Sequence, residues 1–308
     1  MDGFLLIDKP KGLTSHDVVD EIRRRFRLRK VGHLGTLDPL ATGLLPLAIG
    51  EATKLVSYFL KKDKEYEGKF ILGITTDTYD IEGKVVERRE NFKVSSEDLE
   101  KVRKKFLGER EQIPPMYSAL KRRGKRLYEL AREGKTIHRP PRKITIYSFQ
   151  IYHFSPPQVE FRIHCSAGTY IRSIVYDIGK ILGCGATLQE LRRIRCGDFH
   201  LKDAYPLERI LSQNQLSSYL LPVEEYLSEF PEVKVDKDFL RYIVHGTPVY
   251  KNKVKSYPSH LKKGDMVRIM DSQGKLLCLA ESRINGEDFP RLSDNNIVFQ
   301  PRRIFHFS

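Results

Sequence analysis

Asp38 is the residue of this chain whose type and setting best suit chemistry. It lies in the stretch V-G-H-L-G-T-L-D-P-L-A-T-G-L-L-P-L-A-I-G-E-A-T-K, residues 31–54, and no other acid occurs between Glu21 and Glu51. Pro39 fixes the backbone beside it and turns Asp38 away from the helical region, while glycines in the loop allow close backbone approach. A lone carboxylate between leucines is costly to bury. From these residues alone, a tight turn in which Asp38 caps Leu40 or Ala41 is the favoured interpretation, and a carboxylate with a functional role is the alternative.

The apolar pattern predicts the elements that must hold this loop. A buried strand, Gly3–Asp8, precedes a helix over His16–Arg27 that Ser15 caps. The apolar run Leu44–Ile49 follows the loop, and Glu51–Leu60 is typical of a helix. The later predicted elements are a strand over Lys64–Asp77 with Tyr66, Phe70, Leu72 and Ile74 on one face, a strand over Lys84–Arg89, a helix from Ser95 through Phe106, a short helix over Arg126–Arg132, strands over Lys143–Phe154 and Gln158–Ser166, and a helix from about Tyr170.

A strong positive charge predicts a polyanionic partner. The 308 residues carry 54 Lys and Arg against 40 Asp and Glu, a net charge of +14. Nucleic acid fits this balance better than a membrane surface, because no lipidation signal or basic amphipathic anchor accompanies it. The N-terminus lacks the regions of a signal peptide, and no apolar run is long enough to span a membrane. We therefore expect a soluble, cytoplasmic protein.

Residues 121–143 form the basic centre of the chain. They hold ten Lys or Arg against two Glu, which is +8, and Arg122, Arg123 and Arg126 lie close together among them. Glycines and the pair Pro140-Pro141 make the segment poor core material. We expect a mobile insertion that binds RNA phosphates, with an ordinary exposed loop as the alternative.

The remaining composition argues against cofactor chemistry and for a second domain. The four cysteines show no C-x-x-C spacing, so we expect buried free thiols and no metal site. No P-loop or dinucleotide-binding fingerprint occurs, so no nucleotide cofactor is expected. After Pro231 the chain becomes rich in turns, and strands near Asp265–Asp271 and Lys275–Glu281 flank a hairpin turn at residues 272–274. We predict one domain over residues 1–231 and another over 232–308.

Several motifs resemble those of a single enzyme family. They are I-D-K-P-K-G-L-T-S at residues 7–15, G-H-L-G-T-L-D-P-L-A-T-G-L-L-P at 32–46, K-E-Y at 64–66, G-T-Y-I-R at 168–172 and L-Q-E-L-R-R-I-R-C-G at 188–197. This set resembles the bacterial tRNA pseudouridine-55 synthases of the TruB family. The match around Asp38 is nearly letter for letter and therefore highly specific. The tail resembles, more loosely, a PUA domain, which is a small β-barrel that binds RNA.

The resemblance implies a role for six residues. Asp38 would be the catalytic aspartate, Arg172 its partner, Tyr66 the ring that stacks on the target base, Tyr170 and Leu191 the lining of the pocket, and His33 the group that fills the vacated stack. Without the family, Tyr66 would be read as an aromatic ring packed on a sheet, and Arg172 as a surface or structural arginine.

The resemblance also implies a fold and a reaction. We expect an α+β catalytic domain with a largely antiparallel sheet and flanking helices, followed by a PUA-like barrel. The enzyme would flip uridine 55 out of the tRNA T-loop and isomerise it without a cofactor or a guide RNA, as a monomer. Two alternatives remain: a non-catalytic RNA-binding or folding protein of the same fold, and a ribosomal enzyme that depends on a guide RNA.

Overall fold

A computed structural model describes residues 1–118, 120–122 and 124–306. Its helices are α1 Ser15–Arg25, α2 Val56–Phe59, α3 Ser96–Lys104, α4 Leu127–Arg132, α5 Ile171–Leu182, α6 Leu207–Leu211 and α7 Leu240–Ile243. Its strands are β1 Gly3–Lys9, β2 Val31–His33, β3 Thr42–Ile49, β4 Lys64–Leu72, β5 Ile74–Thr76, β6 Val85–Arg88, β7 Gly108–Gln112, β8 Lys121–Arg122, β9 Lys125–Arg126, β10 Arg142–Ser155, β11 Gln158–Cys165, β12 Ala186–Cys196, β13 Phe199–His200, β14 Tyr205–Pro206, β15 Glu232–Val235, β16 Val249–Tyr250, β17 Val254–Ser256, β18 Met266–Met270, β19 Leu276–Ser282 and β20 Ile297–Ile304.

One large sheet organises the first two thirds of the chain. Its order is β14-β1-β3-β12-β4-β11-β10-β7, with β2 paired to β3 and β13 paired to β12. Two of its pairings, β1 with β14 and β3 with β12, are parallel, and the others are antiparallel. Strict alternation of buried and half-buried residues along β4 places its even-numbered side chains in the core. The expected α+β class with a largely antiparallel sheet is confirmed.

The centre of this sheet is unusually close-packed where β3 meets β12. The two strands pair in parallel at only two positions, Thr42 with Arg192 and Gly43 with Arg193. A Cβ atom on Gly43, whose φ is +94°, would lie 2.4 Å from the backbone oxygen of Arg193. Only glycine fits there, because any side chain would force the strands apart. The loop that carries Asp38 enters β3 at this point.

Three predicted elements differ from the observed ones. Helix α1 is capped by Thr14, which exchanges hydrogen bonds with Asp17, so the expected cap at Ser15 is wrong by one residue. The predicted helix over 51–60 begins as a 3-10 helix, Gly50–Leu55, before α2. The predicted strand over 64–77 breaks at Gly73, whose φ is +86°, so Ile74 joins a separate two-stranded sheet with β6. The strands over 142–155 and 158–165 and the capping box at Ser95 match expectation.

The C-terminal quarter of the chain folds around its own core and also packs on the first domain. A six-stranded sheet, β16-β20-β19-β18-β15-β17, encloses a cluster that includes Val233 and Val267. A second cluster joins Met270 and Phe305 of this region to Phe59 of α2. The Lys54 ammonium donates a 2.6 Å hydrogen bond to the Ile304 carbonyl, so polar contacts reinforce the junction. The domain boundary between residues 231 and 232 stays a prediction.

Two remaining sequence expectations concern buried thiols and membrane spans. All four cysteines, Cys165, Cys184, Cys196 and Cys278, are buried and free, as expected. Among the helices of the described residues, none combines the length and apolar character that crossing a membrane requires.

Candidate active site

The loop over residues 34–41 joins β2 to β3 and presents Asp38. The buried Ser15 hydroxyl accepts a 2.7 Å hydrogen bond from the Leu37 N–H and donates a 3.1 Å bond to the Leu37 carbonyl. The Pro39 carbonyl accepts from the Gly12 N–H at 2.8 Å. The residues before Asp38 and after it are therefore both bound to the 7–15 stretch. The backbone at Asp38 cannot move without breaking these hydrogen bonds.

Lys9 also binds the backbone of the loop that carries Asp38. Its side chain is fully buried, and its ammonium donates to the carbonyls of Pro10 at 2.8 Å, Leu13 at 2.6 Å and Pro39 at 3.4 Å. Burial lowers the pKa of Lys9 to about 8, while the negative charge of Asp38 acts in the opposite direction. Lys9 thus ties the first strand to the residue that follows the aspartate.

Arg172 is the charged partner of Asp38. It lies in the first turn of α5, and its side chain is 5% exposed, whereas the Asp38 side chain is 38% exposed. The Arg172 Nε atom lies 2.9 Å from Asp38 Oδ2. This is a charge contact and not a hydrogen bond, because the Nε–H has no hydrogen-bond acceptor among the described residues. The Nη atoms donate to the carbonyls of Thr78 at 3.0 Å and Tyr117 at 2.9 Å. A buried, fixed cation thus holds one oxygen of a carboxylate that remains accessible.

Asp80 is a second acid that contacts Arg172, and the sequence alone did not point to it. Its Oδ2 lies 3.2 Å from Arg172 Nη1, and only 8% of its side chain is exposed. Its Oδ1 accepts from the Thr78 hydroxyl at 2.7 Å and the Glu82 N–H at 3.2 Å. Burial raises the pKa of Asp80, the Arg172 charge opposes this, and the Asp38 charge adds to it. The only sequence signal for Asp80 is the acidic run T-T-D-T-Y-D at residues 75–80, which does not indicate a partner for either acid.

Tyr66 and Leu191 lie side by side in the sheet beneath the loop. β4 and β12 pair Tyr66 with Arg193 and Gly68 with Leu191, so both side chains are on the core face. Tyr66 is 8% exposed and Leu191 is 7% exposed, within the cluster that also contains Leu37 of the loop. Burial raises the pKa of Tyr66, and the charge of Arg193 acts against that rise. The phenol of Tyr66 is therefore protonated at neutral pH.

Tyr170 lies close enough to Asp38 to sense its charge, and His33 directly precedes the loop. Tyr170 precedes α5, and its backbone is held by Gln112, which accepts from the Tyr170 N–H at 2.8 Å and donates to its carbonyl at 3.0 Å. Burial raises the pKa of Tyr170. His33 ends β2, and its Nδ1 is buried without a hydrogen-bond partner in the described residues. Burial, with the charges of Arg193 and His16, lowers the pKa of His33, so its ring is neutral at pH 7.

The basic insertion carries its described cations on the surface. Arg126 is exposed, precedes α4 and donates a 2.9 Å hydrogen bond to the Tyr128 hydroxyl. The guanidinium of Arg132 lies 5.4 Å from the centre of the Tyr128 ring. Arg123 and the side chain of Arg122 lie outside the described residues. The structure pairs Asp38 with Arg172 and places Tyr66 and Leu191 in the apolar cluster that contains Leu37, while the described contacts of Arg126 lie within the insertion.

A cavity of about 340 Å³ opens beside the loop. Leu40, two residues after Asp38, and Leu191 form part of its wall. Charges of both signs line it, with Lys11, Lys69 and Arg192 against Glu67 and Glu190. Its size matches that of sites that take small organic groups.

Comparisons with known proteins cover nearly the whole chain. The family model described as "TruB family pseudouridylate synthase (N terminal domain)" matches residues 23–171. The model described as "tRNA pseudouridylate synthase B C-terminal domain" matches residues 172–228, and a PUA domain model matches residues 231–303.

Individual relatives and solved structures agree with the family models. A protein of Clostridium novyi named tRNA pseudouridine synthase B is 43% identical over 292 residues, which cover 95% of this chain and 99% of that protein. Its namesake in Thermotoga maritima is 39% identical over 307 residues, which cover 99% and 98%. Among solved structures, a Cbf5-Nop10-Gar1 complex matches with a TM-score of 0.74 and 28% identity, covering 99% of this chain and 85% of that chain. An H/ACA RNP bound to a substrate RNA containing 2'-deoxyuridine matches with a TM-score of 0.73 and 26% identity, covering 99% of this chain and 85% of that chain.

Proposed function

The chain belongs to the TruB family of pseudouridylate synthases, and from that premise we propose that it converts uridine 55 in the T-loop of tRNA to pseudouridine with Asp38 as the essential carboxylate. The observation that carries the proposal is the pairing of Asp38 with Arg172. A carboxylate that is 38% exposed, held by a cation that is 5% exposed, is ordered and still able to reach a bound nucleotide. A surface ion pair would expose both partners.

The reaction needs only an isomerisation within one nucleotide. The glycosidic N1–C1′ bond breaks, a C5–C1′ bond forms, the proton leaves C5 and a proton is taken up at N1, so atoms and electrons balance without a co-reactant. In this proposal Asp38 acts in its ionised form as nucleophile or base. Arg172 orients that carboxylate and stabilises its negative charge. Because Arg172 is itself fixed by two carbonyls, no reorganisation is required when the substrate arrives.

A uridine inside a folded RNA must be flipped out before these groups can reach it. Tyr66 would stack on the extruded base, and stacking on an aromatic ring is worth about 1–3 kcal/mol, which offsets part of the lost stacking in the RNA. Its burial in the apolar cluster beside Leu37 and Leu191 supports this role, because the ring lies where an extruded base could contact it. The neutral ring of His33 would occupy the space that the base leaves. Tyr170 and Leu191 would form the walls of the pocket.

The RNA would be held by the insertion and the C-terminal domain. Arg126 is exposed, and among the described residues no carboxylate forms a salt bridge with its guanidinium, although Glu129 accepts a hydrogen bond from its backbone N–H; an exposed guanidinium of this kind suits phosphate binding. Arg122 and Arg123 would add to this grip. An enzyme with its own basic insertion does not need a guide RNA to hold its substrate, and we therefore propose a stand-alone, monomeric, cytoplasmic enzyme.

The test is to incubate the purified protein with an unmodified T-arm transcript and to map pseudouridine at each uridine. We expect modification at position 55 alone, without added RNA. Binding of the transcript with no pseudouridine would favour the non-catalytic alternative. Modification that appears only after a guide RNA is added would favour the guide-dependent alternative.

A further inference from the structure

We propose that Arg193 is a positioning residue for the catalytic loop: its guanidinium binds the loop backbone and thereby sets where the Asp38 carboxylate lies. This inference rests on the proposed function for its kinetic test. It concerns a side chain that neither contacts Asp38 nor reaches solvent.

Three backbone carbonyls accept hydrogen bonds from Arg193. Nη2 donates to Gly35 at 2.9 Å, Nη1 donates to Thr36 at 3.3 Å, and Nε donates to Leu44 at 2.7 Å. Gly35 and Thr36 come shortly before Asp38, and Leu44 lies in the strand that follows it. One planar group therefore clamps both ends of the loop to β12. Ser15 and Lys9 hold the residues between, so the loop backbone is bound along its length.

The burial of Arg193 is too costly to be incidental. It is 1% exposed and heads the fully buried side chains by volume. Within the described residues, no carboxylate forms an ion pair with it, so backbone carbonyls supply its hydrogen-bond acceptors, as they do for the buried ammonium of Lys9. Removing an unpaired cation from water costs several kcal/mol, which hydrogen bonds to carbonyls must offset. A leucine would avoid that cost but would leave the three buried carbonyls without hydrogen-bond donors.

Arg193 also accounts for two glycines, one in the loop and one near the start of β3. A Cβ atom on Gly35, whose φ is +154°, would lie 3.3 Å from Arg193 Nη1. A Cβ atom on Gly43 would lie 2.4 Å from the Arg193 backbone oxygen and 2.9 Å from its nitrogen. Both glycines therefore make room for Arg193, one for its guanidinium and one for its backbone. The motif around Asp38 and the motif around Arg193 therefore contact each other in the folded protein.

Lysine cannot replace this arrangement. A guanidinium presents five N–H donors in a rigid plane, which lets it reach carbonyls that diverge from each other. An ammonium is a compact group on a flexible stem and would serve one or two of the three carbonyls. Arg193→Lys keeps the charge and most of the volume, so it isolates the geometry of the donors.

Arg195 provides the matched control. It lies two residues further along β12, with 21% of its side chain exposed, and it pairs with Asp63 at 2.9 Å and Glu65 at 3.3 Å. It makes no contact with the loop among the described residues. Arg195→Lys makes the same chemical change in the same strand and should alter kcat by less than about threefold, as expected for a half-exposed ion pair.

The experiment measures kcat, KM and tRNA affinity for both variants, with circular dichroism to verify folding. Arg193→Lys should lower kcat about 100-fold, the cost of a displacement of roughly 1 Å at a reacting group, while tRNA affinity stays within several-fold. In Arg193→Ala, millimolar methylguanidinium should restore part of kcat, and methylammonium at equal ionic strength should not. A folded Arg193→Lys with wild-type kcat would overturn the proposal. An Arg193→Lys that fails to fold would assign the residue to stability and overturn it as well.

Amide hydrogen exchange supplies a readout that does not depend on activity. The N–H groups of residues 34–41 should exchange faster in Arg193→Lys than in the wild type. Their exchange rates in Arg195→Lys should equal those of the wild type. Unchanged exchange in Arg193→Lys would refute the positioning role. If the wild-type protein made no pseudouridine in any tRNA while this exchange difference appeared, the proposed function would fail and the positioning role would stand.

Discussion

Asp80→Asn should separate activity from stability. In the wild type, Asp80 and Asp38 share Arg172, at 3.2 Å and 2.9 Å respectively. The asparagine keeps the shape and one oxygen, but it no longer neutralises the guanidinium. Arg172 would then be drawn towards Asp38 alone and lose the second anchor that fixes its plane. We expect kcat to fall about 10- to 100-fold, which is a rise of roughly 1.4–2.7 kcal/mol in the activation free energy.

Stability should change much less than activity, because two effects oppose each other. Removing one member of a buried ion pair normally costs about 3–5 kcal/mol. Here Arg172 keeps Asp38 and the carbonyls of Thr78 and Tyr117, and the variant no longer buries an ionised Asp80. The pKa of Asp80 is raised in the folded state, so its ionised form costs stability at neutral pH. We expect the free energy of unfolding to stay within about 1 kcal/mol of the wild-type value.

The pH dependence follows from the same raised pKa. A carboxyl whose pKa is higher in the folded than in the unfolded state contributes stability below the unfolded pKa, and this contribution is lost as pH rises through the folded pKa. Protonation of Asp80 also mimics the variant, so the kcat of the wild type should fall as pH drops through the raised pKa. In Asp80→Asn this part of the acid limb should be absent.

The assay follows release of tritium from C5-labelled uridine in tRNA under single-turnover conditions, with urea unfolding in parallel. Asp77→Asn is the control, because Asp77 lies in the same turn and accepts from the Lys84 N–H at 2.8 Å without touching Arg172. The reasoning is refuted if Asp80→Asn keeps wild-type kcat. It is refuted equally by a loss of more than about 3 kcal/mol of stability, which would show that the pair serves the fold.

Three further changes test the remaining assignments. Asp38→Asn should abolish turnover while tRNA affinity stays within several-fold, and measurable pseudouridine at a near wild-type rate would sink the assignment. Neutralising Arg122, Arg123 and Arg126 together should flatten the plot of log affinity against log salt by roughly one unit per lost phosphate contact, and an unchanged slope would leave these cations facing solvent. Ending the chain after Phe230 should lower Tm by roughly 10 °C, because it uncovers a cluster worth about 3–5 kcal/mol, and an undiminished Tm would contradict the shared core.

Local features of the fold could be predicted from the sequence because they depend on neighbours in the chain. The capping box at Ser95, the strands over 142–155 and 158–165, and the short helix over 127–132 all follow from spacing within one or two turns. The cap of α1 was assigned one residue late because Thr14 and Ser15 are both good caps. Only the fold shows that Ser15 is needed elsewhere, by Leu37.

The candidate site was predictable only in part, for a corresponding reason. Asp38 could be found because its isolation and its Pro and Gly neighbours are local, and the motif resemblance pointed to Arg172. Asp80 and Arg193 could not be found from spacing, since their partners lie 92 and about 157 positions away along the chain. Neither T-T-D-T-Y-D nor E-L-R-R contains a spacing that indicates which residues it will contact in the fold. Their roles emerge only when the sheet brings β12 and the turn after β5 to the loop.

The contacts of the loop account for the way its motifs are scattered. A carboxylate that must be both accessible and fixed cannot be buried by its own segment, so its support has to come from elsewhere. Ser15 and Lys9 from the first motif, Arg172 from α5 and Arg193 from β12 supply that support from three distant parts of the chain. Each bonds to backbone or to Asp38 itself, so the loop can be held while its aspartate stays exposed. A change in any of these four side chains should therefore appear first as a loss of kcat, and only then as a loss of RNA binding.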